Sequence, residues 1–408
     1  MDAMQRSVFQ GIMYYYREKT VLCRYQLTLK DPVNPALLQQ ALDEARPLAG
    51  YFFQKVVWEK REAHLEPNDA PFMLRIGHEQ PRVPEDTNDY QLACSCEGNQ
   101  IFFDWFHFLA DGRGGSKLMT LVLRLYCNLR YGTAFACEPI VSDPPYDIEE
   151  ILAQYPESQV ENDMQKEVTQ TSDAPARLVR VRLDKQSLLD AALPLGVKPF
   201  SALVALFCKA GREYLGRDAI VYNYSTDSRD ALGAPNALYN CVASFQRPVT
   251  VTEADTLQTL VPGVDADIRH NLAREPKLFR MAEQMGWVYQ VYRQRASLKI
   301  KKRVFQMGEY ISGFPSDFWV SYQGDPFLPA DPAMEAYLTD FQTWVPADGA
   351  SIGVECTTLH GVITICIQNK VQQPGYADAL RHAFEEAGVR VLEAAELGPS
   401  PYTSPYIP

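Results

Sequence analysis

Apolar and polar positions alternate loosely from Val21 to Lys30, which predicts a strand. Asp31-Pro32 breaks it. Asn34 then supplies a cap and Pro35 a first helical position, predicting a helix to about Leu48. Tyr51 to Glu59 is aromatic and β-branched and reads as a second strand. Tyr90–Cys96 and Gln100–Phe106 flank Glu97-Gly98-Asn99, which predicts a hairpin. A helix with its cap at Ser116 follows, running to Tyr131. Pro144 to Ala176 is rich in Glu, Gln, Asp, Ser and Pro and carries little apolar periodicity beyond Ile148–Leu152, so it reads as a linker or crossover.

The pattern restarts with a strand at Arg177–Leu183 and helices at about Asp184–Leu193 and Pro199–Leu215. Strands are predicted at Ala219–Ser225 and Ala237–Val251, then helices at Ala254–Asn271 and Glu275–Gln294. Four further strands follow, at Phe318–Tyr322, Tyr337–Trp344, Ser351–Thr357 and Val362–Asn369, then a helix over Tyr376–Ala387. The proline-rich stretch from Leu397 to Pro408 is expected to be extended or disordered. Helices and strands alternate in both halves, so the fold class is α/β, with domains expected at residues 1–165 and 166–408.

A chain of 408 residues exceeds one ordinary core, in keeping with two units. The net charge of −12 and pI near 5.1 argue against a nucleic-acid surface. No apolar run reaches the roughly 18 residues of a membrane span. The first six residues lack the layout of a signal peptide. The nine cysteines include no Cys-x-x-Cys pair, which reads as buried, reduced thiols in a cytoplasmic protein. His64, His78, His270, His360 and His382 have no metal-ligand spacing, so no metal site is expected.

The stretch that carries chemistry is His107-Phe108-Leu109-Ala110-Asp111-Gly112. A predicted strand delivers His107 to a loop edge, where a general base can be held still. A strand-end histidine satisfied by a backbone carbonyl is the plain alternative. Gly112, Gly114 and Gly115 permit tight turning before the helix, and Arg113-Gly114-Gly115-Ser116 matches no phosphate-loop spacing.

His107-x-x-x-Asp111-Gly112, followed by an apolar helix, resembles the active-site motif of the chloramphenicol acetyltransferase and condensation-domain superfamily, in its alcohol acetyltransferase-like branch. The resemblance implies two α/β-sandwich subdomains around a central tunnel, with the motif histidine at their interface. It implies acyl transfer, acetyl above all, from acyl-CoA as co-substrate to an alcohol or amine. His107 is the implied base and Asp111 a structural brace paired with an arginine.

Arg229 closes the polar stretch Ser225-Thr226-Asp227-Ser228-Arg229. It is read as that partner before any contact with coenzyme A, the alternative being a solvated loop charge. Asn240 corresponds to a cleft-lining asparagine or to a strand-edge amide. Ser321, in Ser321-Tyr322-Gln323-Gly324, is a candidate oxyanion donor, although the branch has asparagine where Tyr322 stands. Lys301, Lys302 and Arg303 form a basic cluster that could meet coenzyme A phosphates or end a solvated helix. Most of Tyr14-Tyr15-Tyr16 and the other dense aromatics are expected in the core, and some could line a pocket for an acyl or alkyl group.

Two departures narrow the resemblance. Phe106 stands where condensation domains have a second histidine, and the Asp-Phe-Gly-Trp-Gly stretch of the plant branch is absent. A non-catalytic scaffold of the same fold and an enzyme fed by an acyl carrier protein are the alternative readings.

Overall fold

The computed structural model describes residues 22–61, 63–155, 174–304, 316–327, 332–347 and 350–401. The 165/166 boundary, Tyr14-Tyr15-Tyr16 and the last seven residues lie outside them.

The first half contributes β1 (Leu22–Leu29), α1 (Pro35–Leu48), β2 (Gln54–Trp58), β3 (Ala63–Pro67), β4 (Arg75–Ile76), β5 (Leu92–Glu97), β6 (Gln100–Phe106) and α2 (Gly112–Tyr131). Asn34 caps α1, accepting hydrogen bonds from the backbone N–H of Ala36 and Leu37. Leu38, Ala41, Leu42 and Ala45 form the buried stripe of α1, and it packs against α2. Gly98, at φ +58°, turns the β5–β6 hairpin.

A short helix, α3 (Ile148–Gln154), lies in the stretch read as a linker. The second half adds β7 (Arg177–Asp184), α4 (Lys185–Ala192), α5 (Pro199–Leu215), β8 (Ala219–Asp227), α6 (Arg229–Leu232), β9 (Val242–Thr250), α7 (Leu257–Asn271) and α8 (Arg274–Tyr292). These are followed by β10 (Ser316–Gly324), β11 (Leu338–Trp344), β12 (Ala350–Leu359), β13 (Val362–Asn369), α9 (Tyr376–Glu386) and β14 (Val391–Pro399).

Two main sheets form two lobes. The larger runs β14-β7-β13-β12-β10-β8-β9, and the smaller runs β11-β1-β6-β5-β4. β12 is buried along its whole length, as a central strand covered on both faces must be. β11 leaves its own half and pairs antiparallel with β1, with Gln342 opposite Gln26. The core of the smaller lobe therefore includes Leu338 and Phe341 from late in the chain. This is the mixed α/β architecture that the resemblance implied.

Several boundaries move. α2 begins at Gly112 rather than after Ser116, because Asp111 takes the cap, accepting from the Gly114 N–H at 2.8 Å. β9 starts at Val242, not Ala237; residues 237–241 form a loop whose backbone is occupied by Arg229 and Asp111. Residues 397–399 are ordered in β14, which pairs with β7. All nine cysteines are free and eight are buried. Among the described residues no single helix is long and apolar enough to cross a membrane, and no cluster of His, Cys, Asp and Glu could hold a metal ion.

Candidate functional site

β6 ends at Phe106, and the chain turns through residues 107–110 into α2. Each link of that turn is held. Leu109 N–H donates to Phe106 O at 2.9 Å. Tyr51 Oη donates to Leu109 O at 2.7 Å, and Trp105 Nε1 to Ala110 O at 2.9 Å. His107 is half-buried, and its Nδ1 lies 3.2 Å from Asn240 Nδ2. Asn240 Oδ1 already accepts the Val242 N–H at 2.9 Å, which turns the amide NH2 group toward the ring. Nδ1 is then the acceptor of that contact, and a neutral ring so held keeps its proton on Nε2.

Asp111 and Arg229 meet as a bidentate fork, with Arg229 Nη1 to Asp111 Oδ2 at 2.9 Å and Nη2 to Oδ1 at 2.8 Å. Both side chains are almost fully buried. Asp111 also accepts from the backbone of Gly114 and of Cys241. Arg229 spends its remaining N–H groups on Ala237 O, Tyr239 O and Asp227 Oδ1. All five guanidinium donors are thereby used. Burial alone would disfavour the cation; Asp111 and Asp227 more than offset it, and the Arg229 pKa is raised. Asp227 shows the mirror effect. Burial pushes its carboxyl up, but Arg229 and Arg113 hold it below the usual carboxylate range. Both Asp111 oxygens face this brace and the backbone beside it.

The glycines are explained by close approach. A Cβ on Gly114 would sit 2.1 Å from Leu238 O, and one on Gly115 would sit 3.1 Å from the Trp105 ring. A Cβ on Gly112 would sit 2.6 Å from Gln323 Cδ. The second half of the chain is pressed onto the start of α2.

Ser321 is half-buried on β10, in register with Glu355 of β12, and hydrogen-bonds to its carboxyl. Glu355 is a group that pattern reading missed. Burial pushes its carboxyl up to about 7, against the pull of hydrogen bonds from Gln323 and Ser321. The available signal was one acidic residue inside the apolar run Ser351–Leu359. Tyr51 was missed as well, being an ordinary aromatic in sequence. Tyr322 Oη pairs with Thr358 Oγ1 at 2.9 Å.

The basic cluster does not act as one patch. Lys301 is buried, donates to Arg61 O at 2.8 Å and lies 4.6 Å from the centre of the Tyr292 ring. It is therefore corrected from a phosphate ligand to a packing residue, because a cation so enclosed does not reach a solvated phosphate. Lys302 is half-buried and Arg303 exposed.

One cavity of about 220 Å³ lies between Lys198, Phe200, Ser201, Ser225, Asp227 and Tyr322. It opens beside the Asp227–Arg229 brace. Another, of about 340 Å³, is lined by Ser116, Lys117, Thr120, Arg124 and Asn236 among others. His107 lines neither.

No family model matches the sequence, and no curated protein does. Solved structures do match over nearly the whole chain. Polyketide synthase associated protein 5 from Mycobacterium tuberculosis is 15% identical, covers 91% of this chain and 95% of its own, and superposes with a TM-score of 0.61. The first condensation domain of the CDA synthetase is 14% identical over 96% of this chain and 98% of its own, with a TM-score of 0.61. Trichothecene 15-O-acetyltransferase from Fusarium sporotrichioides is 12% identical over 94% of both chains, with a TM-score of 0.62. The chain thus shares the two-lobed α/β fold of condensation domains and of this acetyltransferase.

Proposed function

We propose that this chain is an acyltransferase that moves an acyl group, acetyl above all, from acyl-CoA to an alcohol or amine, with His107 as the proton acceptor. The observation that carries the reading is the turn that presents His107. It is fixed at Leu109 and Ala110 and closed by the buried Asp111–Arg229 fork, an effort of construction that a surface histidine does not need.

The acceptor oxygen or nitrogen attacks the thioester carbonyl while its proton passes to the imidazole. A tetrahedral oxyanion forms, with Ser321 as the candidate donor to it. The carbon–sulfur bond then breaks, and the thiolate recovers the proton from His107. Because Asn240 engages Nδ1, proton uptake requires either that this contact yield or that the ring proton move from Nε2 to Nδ1. Holding two substrates side by side supplies much of the remaining rate.

Thiol release from acetyl-CoA over a panel of alcohols and amines tests the reading. His107→Ala is expected to keep its circular dichroism spectrum and lose at least about a hundredfold in turnover. A variant with near-normal turnover removes His107 from the mechanism. The whole-length likeness to a condensation domain favours a second donor, an acylated carrier protein, which the same assay distinguishes. Binding of acetyl-CoA without thiol release on any acceptor would point to a scaffold.

A further inference from the structure

A chain of hydrogen bonds joins the centre of the larger sheet to the start of α2. Gln323 Nε2 lies 3.0 Å from Glu355 Oε2. Gln323 Oε1 lies 2.5 Å from Tyr25 Oη, and Tyr25 Oη lies 2.5 Å from Gly112 O. Gln323 fills the space that a side chain on Gly112 would take. Tyr25 and Glu355 are buried, and they come from different lobes.

The protons in this chain do not add up when Glu355 is ionised. The carboxylate then needs the Gln323 N–H, so the amide oxygen faces Tyr25. Tyr25 has one proton and two oxygens to serve, Gln323 Oε1 and Gly112 O. One of these contacts is then oxygen against oxygen with no proton between. The two ends of an amide are nearly equal in shape, so turning Gln323 over moves no heavy-atom position. In that arrangement Gln323 N–H donates to Tyr25, Tyr25 O–H donates to Gly112 O, and Gln323 Oε1 accepts. Its donor can only be a protonated Glu355.

We propose that Glu355 is a positioning residue that works in its neutral form, donating through Gln323 and Tyr25 to fix the carbonyl of Gly112 beside the Asp111 cap, and that its ionisation loosens this contact. The proposal rests on the acyltransferase reading of His107 for its consequence, not for its proton bookkeeping. Burial places the Glu355 carboxyl at about 7, within reach of that ionisation. Ser321 and Gln323 of β10 are the hydrogen-bonding groups on it, and both are uncharged. Tyr25 of β1, Cys356 of β12 and Cys366 of β13 also feel Glu355, and burial pushes all three up, so they stay neutral. Asp340 of β11 and Arg180 of β7 act on Cys366. Among the described residues no cation acts on Glu355. A neutral Glu355 also leaves the Ser321 hydroxyl proton available, whereas a carboxylate claims it.

The sign follows. Uptake of a proton by His107 sets the acid side of the rate profile; loss of the proton from Glu355 lowers the rate as pH rises through about 7. Infrared difference spectroscopy of the full-length protein should show a protonated carboxyl band that titrates near neutrality and is missing in Glu355→Gln. Glu355→Gln mimics the neutral acid, and it should keep at least half of the wild-type rate at pH 6 and lose the alkaline fall. Glu355→Asp, which retains a carboxyl but shortens the reach to Gln323, should shift the band and so assigns it should the Gln variant not fold. Absence of a titrating band overturns the proposal, as does an unchanged alkaline limb in a folded Glu355→Gln. Failure of acyl transfer with every donor and acceptor would sink the proposed activity and leave the infrared result to decide Glu355 by itself.

Discussion

At the residue scale, His107 and Asp111 do different work, and their partners show it. Asp111 has four hydrogen bonds, two of them from the Arg229 guanidinium, so it is fixed in one place. His107 has an amide at Nδ1 whose orientation a backbone N–H decides. That makes Asn240 a handle on the tautomer. In Asn240→Asp one carboxylate oxygen keeps the Val242 N–H, and the other turns an acceptor toward Nδ1. The ring proton then belongs on Nδ1, and Nε2 is left bare as the basic nitrogen. An adjacent carboxylate raises an imidazole pKa by about 1–3 units, so the acid limb of the rate profile should move to higher pH by about that amount. A limb in the same place would show that Asn240 does not set the ring. The motif spacing singled out His107 and Asp111 because both lie within six residues. Glu355 was invisible to it, since its neighbours Ser321, Gln323 and Tyr25 come from other strands.

At the element scale, local chemistry fixed most boundaries. Asn34-Pro35 starts α1, and Gly98 turns the β5–β6 hairpin, because caps and positive-φ turns act over three or four residues. The start of α2 was misplaced for an instructive reason. Ser116 is a good cap by type, but Asp111 already caps the helix while serving Arg229, and three glycines are admitted into its first turn by close contact. Gly114→Ala should force the backbone at Leu238 aside, costing about 1–3 kcal/mol. Gly263, in the middle of α7, has nothing within 4 Å of an added Cβ, and Gly263→Ala should stabilise by about 0.5–1 kcal/mol. Thermal melts of the two variants should therefore move in opposite directions. A Gly114→Ala melt at or above wild type would mean that the loop at 237–241 yields freely. β14 was only partly legible, since the sequence there has an extended character but no sign of its pairing with β7.

At the scale of the whole molecule, the two halves are stitched at one seam. Asp111 of the first half meets Arg229 of the second; Tyr25 meets Gln323; β11 pairs with β1. Removing one partner of a buried ion pair strands the other, at a cost of about 3–5 kcal/mol. Arg229→Met should therefore lower the urea midpoint by that equivalent, while far-ultraviolet circular dichroism before the transition stays native-like. A loss under about 1 kcal/mol would mean that Asp111 finds another partner or water.

The amino-acid order alone determined the alternation of helices and strands, their caps and turns, and the placement of His107 between a strand and a helix, because each depends on neighbours a few bonds away. Tertiary structure decided which strands share a sheet, which arginine holds Asp111, why Lys301 is enclosed and why a glutamate in an apolar strand holds its proton near neutral pH. Those are set by burial and by contacts between residues up to about three hundred positions apart, and a one-dimensional pattern carries no distance across that gap.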